Sequence, residues 1–191
     1  MDNVEMRLAT AADVGALAQL LSSTFYSYQG LKSLLTPVVR LGLCYDLAAR
    51  LQFPNAARYQ CLIAEVPDPV HPECSIMTGT VEITLRPLGL SRLRSQQPYI
   101  SNLAVRRDYR HQGIGQCLLE RCEEIAQDWK RSAVFLHVRQ DNAIAQSLYR
   151  KLGYRSTDQY PPLSTQRRLL TKLLPDQMNA AFGSTSLTDS N

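Results

Sequence analysis

At 191 residues and 45% hydrophobic side chains, the chain can bury one sizeable core but is too short for two large domains. Its formal charge of +4 is mild, arginine greatly outnumbers lysine, and no block of like charge suggests a nucleic-acid tail. No apolar run approaches the roughly 20 residues that span a bilayer, and "MDNVEMRLAT" has neither a signal core nor a transit pattern, so a cytoplasmic protein without membrane contact is expected.

In chain order, "VEMRLA" (4–9) reads as a strand. Thr10 and Asp13 then form a Thr-x-x-Asp capping pattern that opens a helix carrying Val14, Leu17, Leu20 and Leu21 on one face. "FYSYQG" (25–30) is either a substrate-facing loop or a hydrophobic hinge. Thr36-Pro37 starts a second helix, with Val38, Leu41, Leu47 and Leu51 as its apolar face, which stops near "FPN". "YQCLIAEV" (59–66) and "GTVEITLR" (79–86) are strands separated by the turn "PDPVHPE", an antiparallel hairpin. After the irregular "PLGLSRLRSQQP" come a strand at 99–105, a loop, and a helix at 113–129 lined by Ile114, Cys117, Leu118, Cys122, Ile125, Ala126 and Trp129. A strand at 133–138, a helix at 142–154 ending on Gly153 and a last strand at 167–174 follow.

This order predicts an α/β (α+β) fold with a mixed, largely antiparallel sheet in one domain over about 1–175. The Ser/Thr/Asn-rich tail 176–191 is expected to be poorly ordered. The five cysteines show no CxxC pair, and read as reduced residues rather than disulfides or a zinc site; no metal is expected.

"YRHQGIGQCLLERCEEIA" (109–126) places two helix-weakening glycines and several basic or amide side chains at a helix start. A dinucleotide fingerprint lacks its third glycine here, and a nucleotide P-loop lacks Lys-Ser/Thr after Gly115. A third reading is a backbone cradle for a pyrophosphate. Arg106, Arg107 and Arg110 would supply positive charge, and the N–H groups from His111 to Gln116 the donors of a helix start. A plain glycine-rich turn fits the loop alone equally well.

The segments downstream decide between these. Arg110-His111-Gln112-Gly113-Ile114-Gly115 resembles motif A of the GCN5-related N-acetyltransferase (GNAT) superfamily, and "FLHVRQDNAIAQSLYRKLGY" resembles its motif B. The wording is most similar to the plastid-type acetyltransferases of plants and their cyanobacterial relatives. The element order matches that family's fold over about residues 4–174.

The resemblance implies two splayed central strands, 99–105 and 133–138, flanked by helices, with acetyl-CoA between them as cosubstrate. Leu103, Ala104 and Val105 would bond the pantetheine arm, and Arg110, His111, Gln112, Gly113, Ile114, Gly115 and Gln116 would hold the pyrophosphate. Asn142, Ala145 and Tyr149 would line the thioester. Tyr149 matches the family's general-acid tyrosine. His137, with Tyr99 as a water-linked partner, is the first choice for the base, and Glu82 on the neighbouring strand is its rival. If the chain is a trimmed mature form, the plastid stroma replaces the prokaryotic cytoplasm as the expected compartment.

The acceptor expected is a protein or peptide amine, an N-terminal α-amine or a lysine. A polyamine site would call for a carboxylate cluster, and only Glu82, Asp141 and Asp158 are at hand. A small-amine acetyltransferase and an acetyl-CoA sensor without turnover are the alternatives. The acceptor groove is expected from 25–35, 86–98 and 155–166, with Tyr160 over the peptide.

Overall fold

The structure is a computed structural model that describes residues 4–25, 36–52, 58–71, 73–88, 96–158 and 166–175. Much of the expected acceptor groove, Tyr160 and the tail 176–191 lie outside these residues. The elements are β1 (Glu5–Leu8), α1 (Val14–Phe25), α2 (Thr36–Gln52), β2 (Tyr59–Pro67), β3 (Ser75–Arg86), β4 (Gln97–Val105), α3 (Ile114–Asp128), β5 (Ala133–Arg139), α4 (Ala143–Lys151), β6 (Arg155–Ser156) and β7 (Arg167–Leu173). All seven strands join one sheet in the order β1-β2-β3-β4-β5-β7-β6. Every pairing is antiparallel except β4 with β5.

Successive side chains on a strand point to opposite faces, so each strand serves two cores. One face of the sheet packs Leu62, Ala64, Val81, Ile83, Val134, Leu136 and Val138 against α3 and α4. The other packs Cys61, Ile63 and Ala104 against Leu17, Leu21 and Leu47 of α1 and α2. Sequence periodicity missed part of this. Leu119 is fully buried along with Leu118, because α3 lies deep against the sheet. On α2 only Leu47 and Leu51 are buried; Val38 and Leu41, expected on the same apolar face, are 67% and 71% exposed. Among the described residues, the apolar face of α2 meets the core only in its second half, at Leu47 and Leu51.

Polar ties fix the edges. The Thr10 N–H and hydroxyl both donate to Asp13, and Arg7 spans Asp13 and Glu65, joining β1 to β2 and to the start of α1. Arg7 holds the Asp13 carboxyl down at about pKa 2. The Tyr154 hydroxyl and Lys172 both donate to Glu123, clamping β7 to α3. All five cysteines are free, Cys61 and Cys122 buried.

The close approach of α3 to the sheet depends on Gly79. A Cβ there would lie 3.0 Å from Leu118 Cδ1, 3.1 Å from Ile114 Cγ2 and 3.2 Å from the Ala104 carbonyl oxygen. The side chains can give way a little, but the β4 backbone cannot without disturbing the sheet. Gly79→Ala should therefore cost about 1–3 kcal/mol of stability, measured as a lower urea midpoint. A midpoint equal to the parent's would contradict the packing described.

Candidate active site

The parallel pairing of β4 with β5 is short. Tyr99 faces Phe135 and Ile100 faces Leu136, and there the register ends. Beyond it, β4 runs on through residues 101–105 paired only to β3, and β5 runs on through 137–139 paired only to β7. The two strands diverge and leave unpaired backbone edges facing each other. A bulge helps to drive them apart. The β3–β4 register shifts between Thr80 and Glu82, and Asn102 takes a left-handed conformation, φ 54°. A bulge increases local twist and re-aims a strand, here one turn of pleat after β4 leaves β5. Asparagine tolerates this conformation better than most residues.

Tyr99 and His137 meet at the point of divergence. The Tyr99 hydroxyl lies 2.9 Å from His137 Nδ1, a direct hydrogen bond rather than the water-linked contact expected from sequence. Beneath them Leu88, Phe135 and Leu169 form an apolar floor with Tyr99. The Arg86 guanidinium stacks on the Tyr99 ring, its carbon 3.2 Å from the ring centre. Partial burial, followed by the charges of Arg86 and Arg167, pulls the His137 pKa below its ordinary value. The imidazole is therefore neutral at pH 7 and able to accept a proton. Sequence reading did not single out Arg86; its place over Tyr99 comes from the β3–β4 register, in which Thr84, two residues before it, faces Tyr99.

Tyr149 reaches the same region from the opposite face of the sheet. It is 8% exposed, belongs to the core that α3 and α4 share, and its ring centre lies 5.7 Å from that of Tyr154. Burial, and secondarily Tyr99, push its pKa up to about 12. It holds its proton throughout the physiological range. Asn142 is exposed and caps α4, its Oδ1 accepting the Ala145 N–H at 3.1 Å. Ala145 is half-buried between Asn142 and Tyr149 along the helix.

The turn before α3 is shaped by left-handed residues, His111 at φ 62° and Gly113 at φ 81°. Gly113 tolerates this angle without strain; a Cβ would not. The first helical bond of α3 runs from Cys117 N–H to the Gly113 carbonyl. The preceding N–H groups, including those of Ile114, Gly115 and Gln116, are thus the donors that a helix start leaves over, at its positive end. A cavity beside the turn is lined by Ser23 and Thr24 at the end of α1 and by Arg106, Arg107 and Arg110. Arg110 is tied to the end of β4, its Nε donating to the Val105 carbonyl at 3.1 Å. His111 and Gln112 are exposed, and the Gln112 amide donates to the Asp108 carbonyl.

Glu82, the rival candidate for the base, lies away from solvent. It is 2% exposed, on the face covered by α2, and accepts from Arg50 Nη1 at 2.5 Å. Arg50 also pairs with Asp46 on its own helix. Nearby, the buried Tyr59 hydroxyl has its pKa raised by burial and then by Glu82. Among the described residues, no cluster of His, Cys, Asp and Glu is arranged to hold a metal, and no helix is long and apolar enough to cross a membrane. Removing Arg50 strips the buried carboxylate of its counter-charge. Arg50→Ala should cost about 3 kcal/mol in denaturant unfolding, and Arg50→Ala combined with Glu82→Leu should recover much of it.

Comparison with known proteins agrees with this geometry. The acetyltransferase (GNAT) family pattern matches residues 48–154. The chloroplastic GCN5-related N-acetyltransferase 5 of Arabidopsis thaliana is 36% identical over 89 residues, 43% of this chain and 28% of that protein. The thialysine N-epsilon-acetyltransferase of Sus scrofa is 34% identical over 98 residues, 51% of this chain and 56% of that protein. The chain thus spans well under two thirds of each. In fold, it is similar to the PaiA N-acetyltransferase of Thermoplasma acidophilum in complex with coenzyme A, with TM-score 0.67 and 16% identity over 90% of this chain and 99% of that one. It is also similar to a chain of the NatC complex bound to Gag peptide and CoA, with TM-score 0.65 and 18% identity over 91% and 99%. With its seven-stranded sheet, its parted central strands and more than half of its length matched by the family pattern, this chain belongs to the GNAT family of acetyltransferases.

Proposed function

We propose that the protein transfers an acetyl group from acetyl-CoA to the primary amine of a protein or peptide, an N-terminal α-amine or a lysine. One observation carries this reading. Tyr99–His137 on one face of the sheet and Tyr149 from the other converge where β4 and β5 part. The residues fit the cosubstrate. The unpaired edge at Leu103, Ala104 and Val105 would bond the pantetheine arm as an added strand. The α3 start with its arginines would hold the pyrophosphate. Acetyl-CoA supplies the activated carbonyl, so the chain must only position the amine and manage two protons.

Neutral His137 takes up the proton that the amine loses, through the Tyr99 hydroxyl, which receives it while passing its own to Nδ1. Tyr149 gives its proton to the departing thiolate as the amide forms and the thioester breaks, which leaves His137 protonated and Tyr149 ionised; a proton passes from His137 to Tyr149 by way of solvent before the next turnover. A lysine amine, with an ordinary pKa of about 10.4, depends on such a base more than an α-amine near 8. Glu82, ion-paired to Arg50, is less suited to this step. A polyamine is also disfavoured, because Glu82 and Asp141 are both tied to arginines and Asp158 stands exposed near β6. A free amino-acid acceptor is the second reading, favoured by the similarity to the pig thialysine enzyme. The domain we take as residues 1–175, in the prokaryotic cytoplasm or, as in the chloroplastic relatives, a plastid.

Acetyl transfer to peptides with free α-amines or internal lysines, run beside spermidine and located by mass spectrometry, tests the reading; labelling of spermidine alone would overturn it. Tyr149→Phe should lower kcat by about 10²-fold or more while acetyl-CoA binding, read by calorimetry, stays close to the parent's. The rate should rise with pH through His137, and its acid limb should lie below the ordinary value of 6.5, because burial and the two arginines depress that pKa. His137→Ala should abolish this limb. An unchanged limb in the variant would pass the base role to Glu82 or to water.

A further inference from the structure

Register places a ring of arginines around the Tyr99–His137 pair. Arg86 lies two residues beyond Thr84 on β3, on the face that Thr84 shares with Tyr99, and its guanidinium covers the Tyr99 ring. On β7, Leu169 faces His137 and Arg167 faces Arg139, so Arg139 and Arg167 extend the His137 side of the strands outward. Asp141 occupies Arg139. Arg86 and Arg167 form no ion pair with a carboxylate among the described residues, and Glu82, on the same face, is consumed by Arg50. The base side of the site therefore carries uncompensated positive charge.

Resting on the acetyltransferase reading above, we propose that Arg86 and Arg167 select acceptors that carry a carboxylate close to the reacting amine. The substrate class is a peptide whose amine is followed by acidic residues. Cations beside the site disfavour the protonated, unreactive form of the amine. They would equally repel an acceptor with further positive charge, such as a polyamine or a lysine in a basic stretch. A carboxylate neighbour restores attraction: it meets the N–H edges of Arg86 or Arg167 while the amine reaches Tyr99. Arginine suits this because its planar fork can stack on an aromatic ring and still donate along its edge.

The test compares three peptides that differ only in the two residues after a free N-terminal serine, both aspartate, both serine or both lysine. The acidic peptide should exceed the basic one in kcat/KM by about tenfold, chiefly through KM. The difference should shrink in about 0.5 M salt, where exposed charges are screened. Arg167→Glu, at an exposed position, should erase or reverse the preference; the salt series on the parent protein answers the question should that variant misfold. Lysine offered as the free amino acid and as its α-amide separates the sources of the carboxylate. Transfer to the free acid alone, with the acidic peptide no better than the others, overturns the peptide class. Equal rates for all three peptides, or a preference for the basic one, overturn the proposal and leave acetyl transfer standing. Transfer to no amine of any kind overturns the acetyltransferase reading itself.

Discussion

The short parallel register between β4 and β5 is the constraint on which the rest of the molecule depends. Two strands that paired along their full length would close the sheet and satisfy their own backbone. Here pairing stops after Ile100 and Leu136, and the Asn102 bulge turns β4 away. An unpaired strand edge inside a sheet is costly unless something else bonds it. The divergence is therefore both the weak point of the fold and the place where an extended ligand arm is best received.

The elements around the parting supply what it lacks. α3 lies close on the sheet because Gly79 leaves it room, and its start faces the end of β4. Arg110 bonds the last β4 carbonyl and thereby joins the turn to the strand edge. α4 brings Tyr149 in from one face while β4 and β5 present Tyr99 and His137 on the other. The environments of these groups differ in a useful direction. Burial holds Tyr149 protonated, whereas burial with neighbouring arginines holds His137 neutral. One group is thus kept as a donor and the other as an acceptor at the same pH, which is how paired acid and base roles are separated.

Much of this was legible in the sequence where a residue type answers a backbone demand. Gly113 marks the left-handed turn, Thr10 with Asp13 marks the entry to α1, and "LHVR" with "PYISNL" places the two polar groups on adjoining strands. What was not legible depends on which face a neighbour covers. Glu82 alternates like a solvent-facing strand residue, and only the position of α2 buries it against Arg50. Val38 and Leu41 repeat like core residues, yet both stand exposed while Leu47 and Leu51 further along the same helix are buried. Asn142 carries a motif position and serves as a helix cap. The stacking of Arg86 on Tyr99 follows from register, which periodicity within a single strand does not contain.

The central claim is that the unpaired β4 edge and the α3 start form one continuous site for acetyl-CoA. Backbone amide exchange, followed residue by residue with and without acetyl-CoA, measures this most directly. The account predicts that protection appears at residues 101–105 and 113–116 together, while the β2–β3 hairpin is unchanged. Protection confined to the α3 start, or located away from the β4 edge, would contradict it.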